Sequence, residues 1–470
     1  MRASVGRAAT SFAAPAQIDR AEARRRVAPA AFVPALALPI LFLHVRYQPA
    51  VHVRLRSTTV GIELSDLAVL AVAAAAVLAG VRNGWEPLRK SRRLWLFAGL
   101  FLALVVAGTF YPLLWEHHYP FLKHLVTAAK FWEYALLAPA LPLLVRRRAD
   151  SLPLLYSIAA WSTVATGWGL LQFAGLVNEF EGKRPLQREP SFVGIHDFAA
   201  LSGAAFAVGF AVLVLGGGFR GEHILGSVAS VAGGIGLILS GAVAGVIGVA
   251  VAAAVVVALA ATRGRLAKIA LVAVAASVAA AAVGVVLMRS GEIPQAIRGL
   301  GIGSQPSGRR SVESYVERSL VAYIGLRMFL DHPVIGVGWQ GSNDLENYKP
   351  YLADAHRKFP TVPEVAFPAP QHPWGVQNAY LETLTDLGVV GAFALLALFL
   401  AGLVLGLRAA WRAPPTAIAP AAVGVLWLLV AAGTWNGLGL VAGIPLDALT
   451  WLGFGLVAAA AAWRDGVVAG

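Results

Sequence analysis

The feature that most constrains this chain is a succession of apolar runs, each about as long as a helix needs to cross a bilayer. A hydrocarbon core takes about 20 apolar residues as a helix, and roughly twelve such runs are present, near 27–45, 66–81, 94–114, 125–145, 152–176, 196–216, 224–240, 243–262, 268–288, 388–407, 419–437 and 443–463. With 58% hydrophobic and only 13% charged residues, a soluble globular fold is excluded. The expected class is all-α: a polytopic membrane protein with about twelve transmembrane helices and one large external loop, from about Arg289 to Leu387, between helices nine and ten. The expected division is a basic tail (1–26), nine helices (27–288), the loop (289–387) and three helices (388–470).

Positive residues in short loops are retained on the cytoplasmic side. With the N-terminus inside, Lys and Arg favour the inner segments over the short outer loops by about three to one. This predicts a multi-pass plasma (inner) membrane protein with both termini cytoplasmic. The net charge of +13 is then mainly a topology signal rather than a sign of nucleic-acid binding. Residues 1–26 read as a cytoplasmic tail, because no small-residue cleavage site follows the first apolar run. The absence of cysteine removes disulfide and thiolate chemistry.

The long outer segment holds most of the remaining chemistry. Its first part is rich in Gly, Pro and Ser and is expected to be irregular. From Ser311 to Asp331 apolar residues recur at helical spacing, predicting an amphipathic helix stopped by Pro333. Residues 342–374, charged, aromatic and interrupted by four prolines, read as a lid-like loop facing substrate. Further polar candidates are Lys183, Arg184 and Arg188 in the outer loop before helix six, and Lys130 with Glu133 one turn apart in helix four, where charge is costly and either paired or functional. His117, His118 and His124 lack carboxylates at ligand spacing, so neither a metal site nor a cofactor is expected.

In "GVQNAYLETLTDLGVVG", Asn378 is followed by nine residues and then Gly388-Val-Val-Gly391; "HPVIGVGWQG" stands some tens of residues earlier. Together these resemble the O-antigen ligase and O-antigen polymerase superfamily, whose ligases carry His, then Asn, Ser or Gln, nine residues and Gly-x-x-Gly. The likeness covers most of the chain, with "AKFWEYALLAPALPLL", "GWGLLQFAGL", "REPSFVGIHDFAALSGA" and "ERSLVAYIGLRMFLDHPVIGVG" similar to successive family segments. It implies a GT-C-like fold. It also implies transfer of a glycan from a polyprenyl-diphosphate carrier to an acceptor glycan or lipid, in cell-surface polysaccharide biosynthesis. Arg188 would match the family's external arginine and Arg318 the arginine of its pre-loop helix.

Two departures stand out. The motif's histidine is Gln377 here, with His372 five residues too early, and the turn between helices seven and eight has Ser240 without the family's second arginine.

Guanidinium groups suit a diphosphate leaving group, because they donate paired hydrogen bonds and never deprotonate. Arg188 and Arg318 are the main candidates, with Arg184, Arg309 and Arg310 in reserve. Gln377 and Asn378 can orient an acceptor hydroxyl. The base is left open among His372, Glu382, Asp386 and a loop carboxylate. Glu382 and Asp386, four apart, share a helix face with Asn378. The rival readings are a catalytically silent family member and a transporter, although a transporter would show two similar halves or broken helices about a midplane site.

Overall fold

The computed structural model describes residues 27–55, 58–115, 119–177, 186–216, 220–262, 268–289, 314–370, 375–414, 417–441 and 444–463. The tail 1–26 and the site candidates Lys183, Arg184, Arg309, Arg310 and His372 lie outside the described residues. In chain order the main helices are α1 (Phe32–Leu41), α2 (Leu64–Asn83), α3 (Arg92–Phe110), α4 (Phe121–Ala135), α5 (Leu137–Leu144), α6 (Arg148–Phe173), α7 (Ile195–Phe210) and α8 (Arg220–Ser240). They continue with α9 (Val243–Thr262), α10 (Lys268–Met288), α11 (Ser314–Asp331), α12 (Leu345–Lys358), α13 (Ala379–Arg412), α14 (Ile418–Thr434) and α15 (Ile444–Ala462).

Among the described residues, eight helices are long and apolar enough to cross a membrane. Of the other four expected runs, 268–288 carries the 21-residue α10 and the remaining three carry shorter helices. The fourth run shows why. It divides at Leu136 into α4 and α5, where Pro139 has no N–H to offer the Ala135 carbonyl and an unbroken helix would lose that bond.

Three further features depart from expectation. An antiparallel hairpin pairs β1 (Ala50–Leu55) with β2 (Thr58–Glu63), with Val51 opposite Ile62 and Val53 opposite Val60, so the chain is not wholly helical. The period-two alternation of "AVHVRL" carries that signal, but it falls between apolar runs where hydropathy dominates. Residues 342–374, expected as a lid or substrate-facing loop, contain α12. Its Tyr348 and Ala355 share a small core with Leu320, Ile324 and Met328 of α11 and with Ala366 and Phe367. The third departure is in the motif helix, which starts at Ala379 rather than 388 and runs to Arg412 with a break at Gly388.

The main core is formed by α7, α9, α14 and α15, whose inward faces carry Phe198, Val249, Trp427 and Leu452, all fully or almost fully buried. At one end of the bundle, Arg146 donates to the Asn83 carbonyl at the end of α2 and Arg148 pairs with Glu222 at 2.8 Å. The opposite end gathers the hairpin, residues 186–194, the α8–α9 turn and the segment containing α11 and α12.

Candidate functional site

The site begins with the break in α13. Gly388 adopts φ 65°, a left-handed conformation that favours glycine, and a side-chain carbon there would lie 2.2 Å from the Val334 carbonyl oxygen. In an unbroken helix the Thr385 and Asp386 carbonyls would bond the amides of Val389 and Val390. The turn after α11 supplies both halves instead: Val337 and Gly338 donate to Thr385 and Asp386 at 2.9 Å each, and Val389 donates to Pro333 and Val390 to Val334. Unmet backbone groups within a bilayer cost several kcal/mol, so "HPVIGVG" completes the broken helix. Tyr111 clasps the turn by donating to the Gly336 carbonyl at 2.7 Å, and the Trp339 amide donates to Gly108 of α3.

The carboxylates below the mouth of α13 are bound into this turn. Glu382 is buried and accepts from Gln340 Nε2 at 2.6 Å and from the Leu440 amide. Asp386 is buried and accepts from the Gln340 amide at 3.0 Å and the Ser342 amide at 2.9 Å. Their shared helix face therefore anchors the 340–342 turn and Leu440. The side chain of Asn378 caps α13, accepting from the amides of Tyr380 and Leu381 at 3.2 and 3.0 Å.

Above the cap the structure brings three elements together. Arg318 of α11 donates through Nε to Gln377 Oε1 at 3.0 Å, and its Nη2 lies 2.9 Å from His196 Nε2 in the first turn of α7. Gly437 closes the other side, where a side-chain carbon would come within 3.1 Å of the imidazole and 3.5 Å of the guanidinium. Beside Arg318, burial pushes the Glu317 carboxyl above its usual range while the guanidinium pulls it down. His196 was not singled out from the sequence. The motif leads one to look for a histidine beside Asn378, and only folding brings the first turn of α7 within reach of Arg318.

Arg188 enters along a different line. It is largely buried, and a side-chain carbon at Gly241, whose φ is +60°, would sit 2.5 Å from Arg188 Cδ. Thus the α8–α9 turn, where the family's second arginine is missing, is filled by the side chain of Arg188. The adjacent Glu189 amide donates to the Leu239 carbonyl at 2.8 Å. A tight turn, in which the Gly194 amide donates to Pro190 at 3.0 Å, then leads into α7 and His196.

The remaining candidates have other partners. Lys130 pairs with Asp66, which also accepts the Glu63 amide at 2.7 Å, and Glu133 faces the same charges. Among the described residues Lys130 thus has one ion-pair partner, with Glu63 and Glu133 close enough to feel the same charges. His124 bonds Asp344 at 2.6 Å, and Lys123 reaches the same carboxylate at 3.2 Å. Among the described residues no His, Asp and Glu side chains cluster in a way that would hold a metal. A cavity of about 360 Å³ opens beside the turn, lined by Trp115, His332, Val334, Ile335 and Asn347, and the Arg318 cluster does not line it.

No curated protein sequence matches the chain. The model of a family described as O-antigen ligase matches residues 228–396, from within α8 to beyond the break in α13. Arg318, Gln377, Asn378, Gly388 and Gly391 all fall inside the match, whereas Arg188 and His196 precede it. That match, over a little more than a third of the length of this multi-pass membrane chain, supports the resemblance to the O-antigen ligase and polymerase superfamily.

Proposed function

We propose that the protein transfers a glycan from a polyprenyl-diphosphate carrier to an acceptor hydroxyl on the outer face of the inner membrane, with both termini cytoplasmic. The observation that carries this reading is the presentation of Arg318. Its guanidinium stands at the mouth of α13, oriented by Gln377 from one side and His196 from the other, inside the family-matched span. Negative charge builds on the departing lipid diphosphate as the glycosidic bond breaks, and a pre-oriented guanidinium stabilises it without reorganisation. Arg188, set against the α8–α9 turn, supplies the second positive charge. The acceptor is a glycan or a lipid, and both ligation and polymerisation fit this chemistry.

One observation favours the catalytically silent reading: Gln377 occupies the motif's histidine position, and an amide cannot take up a proton. Protein reconstituted in liposomes with polyprenyl-diphosphate glycan separates the two. Release of the lipid diphosphate should fall by about 10²-fold or more in Arg318→Ala and in Arg188→Ala. A rate unchanged in both variants would sink the diphosphate assignment, and wild-type protein that never turns over with any acceptor would establish the silent reading.

A further inference from the structure

We infer that His196 is the proton acceptor of the transfer reaction, replacing from α7 the histidine that the motif lacks at Gln377; this rests on the glycan-transfer reading above. The geometry assigns the state of the ring. Arg318 has only donors, so an Nη2 to Nε2 separation of 2.9 Å makes His196 Nε2 the acceptor and places the ring proton on Nδ1. The imidazole is therefore neutral, with a lone pair directed to the position that the guanidinium holds. A base for the acceptor hydroxyl needs that form and that placement.

Among the described residues, two alternative bases, Glu382 and Asp386, are committed to the fold. Both oxygens of Glu382 and both of Asp386 accept hydrogen bonds from the 340–342 turn and Leu440. Asn378 Oδ1 is used in the helix cap. Gln377 faces Arg318 through its carbonyl oxygen, so the guanidinium is flanked by one group that only orients and one that accepts protons. Position 377, just before the cap of α13, faces the same guanidinium.

When the diphosphate draws Arg318 Nη2 to its own oxygens, His196 Nε2 is released to the incoming hydroxyl. The acceptor oxygen then bonds the anomeric carbon, and the bond from that carbon to the diphosphate oxygen breaks. The electron pair leaves with the lipid diphosphate. The hydroxyl proton passes to His196 Nε2, giving an imidazolium that later loses it to water.

Substitution by glutamine is the informative test, because the amide oxygen still accepts from Arg318 but takes up no proton. In liposomes, His196→Gln should lose about 10²-fold or more of glycan transfer while binding polyprenyl diphosphate as the wild type does. In His196→Gln combined with Gln377→His, which returns an imidazole to the motif position, transfer should rise again. His196→Gln with wild-type transfer would overturn the proton-acceptor role and leave the glycan-transfer reading intact. An inactive variant that also fails to bind polyprenyl diphosphate would overturn it in favour of a structural role. A wild-type protein without turnover removes the transfer reading itself, and this inference with it.

Discussion

Arg318 and Gln377 meet at 3.0 Å, joining the helix before the 333–378 segment to the residue that precedes the cap of α13. The contact fixes one edge of the guanidinium plane. Of its donors, Nε is engaged by an amide and Nη2 faces His196, so the group is oriented before any substrate arrives. Pre-orientation of this kind lowers the reorganisation needed when a diphosphate binds.

Gln377→Ala should therefore lower lipid-diphosphate release by about tenfold. A hydrogen bond to a charged group contributes about 1.5–3 kcal/mol, and part of that is recovered when the substrate itself orients Arg318. Initial rates in liposomes measure the effect. An unchanged rate would mean that the Gln377 contact does not orient the arginine.

Gly388→Ala should destabilise the fold by about 3 kcal/mol or more, since it combines a left-handed backbone with a contact of 2.2 Å to the Val334 carbonyl. Gly99→Ala is the control. Gly99 lies within α3 with open space around it, and alanine there should be neutral or stabilising by about 0.5–1 kcal/mol. Thermal unfolding of the two variants in detergent should separate them clearly.

Asn378→Ala should cost about 1 kcal/mol of stability through the lost cap. Asn378→Ser retains a capping oxygen and should recover most of it. If transfer also survives in the serine variant, Asn378 acts as a cap, whereas a loss of transfer at wild-type stability would show a substrate contact.

Gly241→Ala should reduce transfer in the same direction as Arg188→Ala but less, because the added carbon pushes the arginine side chain from its position 2.5 Å away. Measured rates with unchanged unfolding temperature would show displacement of the cation. A variant with a wild-type rate would indicate that Arg188 adjusts without consequence.

The packing of α11 against α12 should depend on pH. Asp354 accepts from the Tyr323 hydroxyl and from Arg357 Nη2 at 3.0 Å, and these bonds hold its carboxyl below the usual carboxylate range. Because the folded pKa lies below the unfolded one, the stabilisation is present above the unfolded value of about 4 and is lost as pH falls through the folded one. Limited proteolysis within residues 345–358 should accelerate below about pH 4. Asp354→Asn should be cut faster at neutral pH and show a weaker acid dependence.

Much of the membrane architecture was legible in the chain, because hydropathy is a local property that the bilayer enforces segment by segment. Each of the twelve expected apolar runs carries helix, and α11 ends at Asp331, two residues before Pro333. The spacing from Asn378 to Gly388 and Gly391 marked the motif helix, and the family match over 228–396 includes it. Less legible were α12 and the hairpin. The first is stabilised by contacts with α11, and the second shows only a short alternating pattern beside much stronger apolar runs.

The sequence by itself determined that this is a multi-pass membrane protein, where its apolar helices lie and which family motif it carries. Tertiary structure decided what those motif residues do. It made Gly388 a helix break completed by Val337 and Gly338, committed Glu382 and Asp386 to the 340–342 turn, and set His196 beside Arg318. The reason is physical: apolarity and turn chemistry act between near neighbours in the chain. The partner of a guanidinium depends on which helices pack together, and no local pattern joins position 196 to 318.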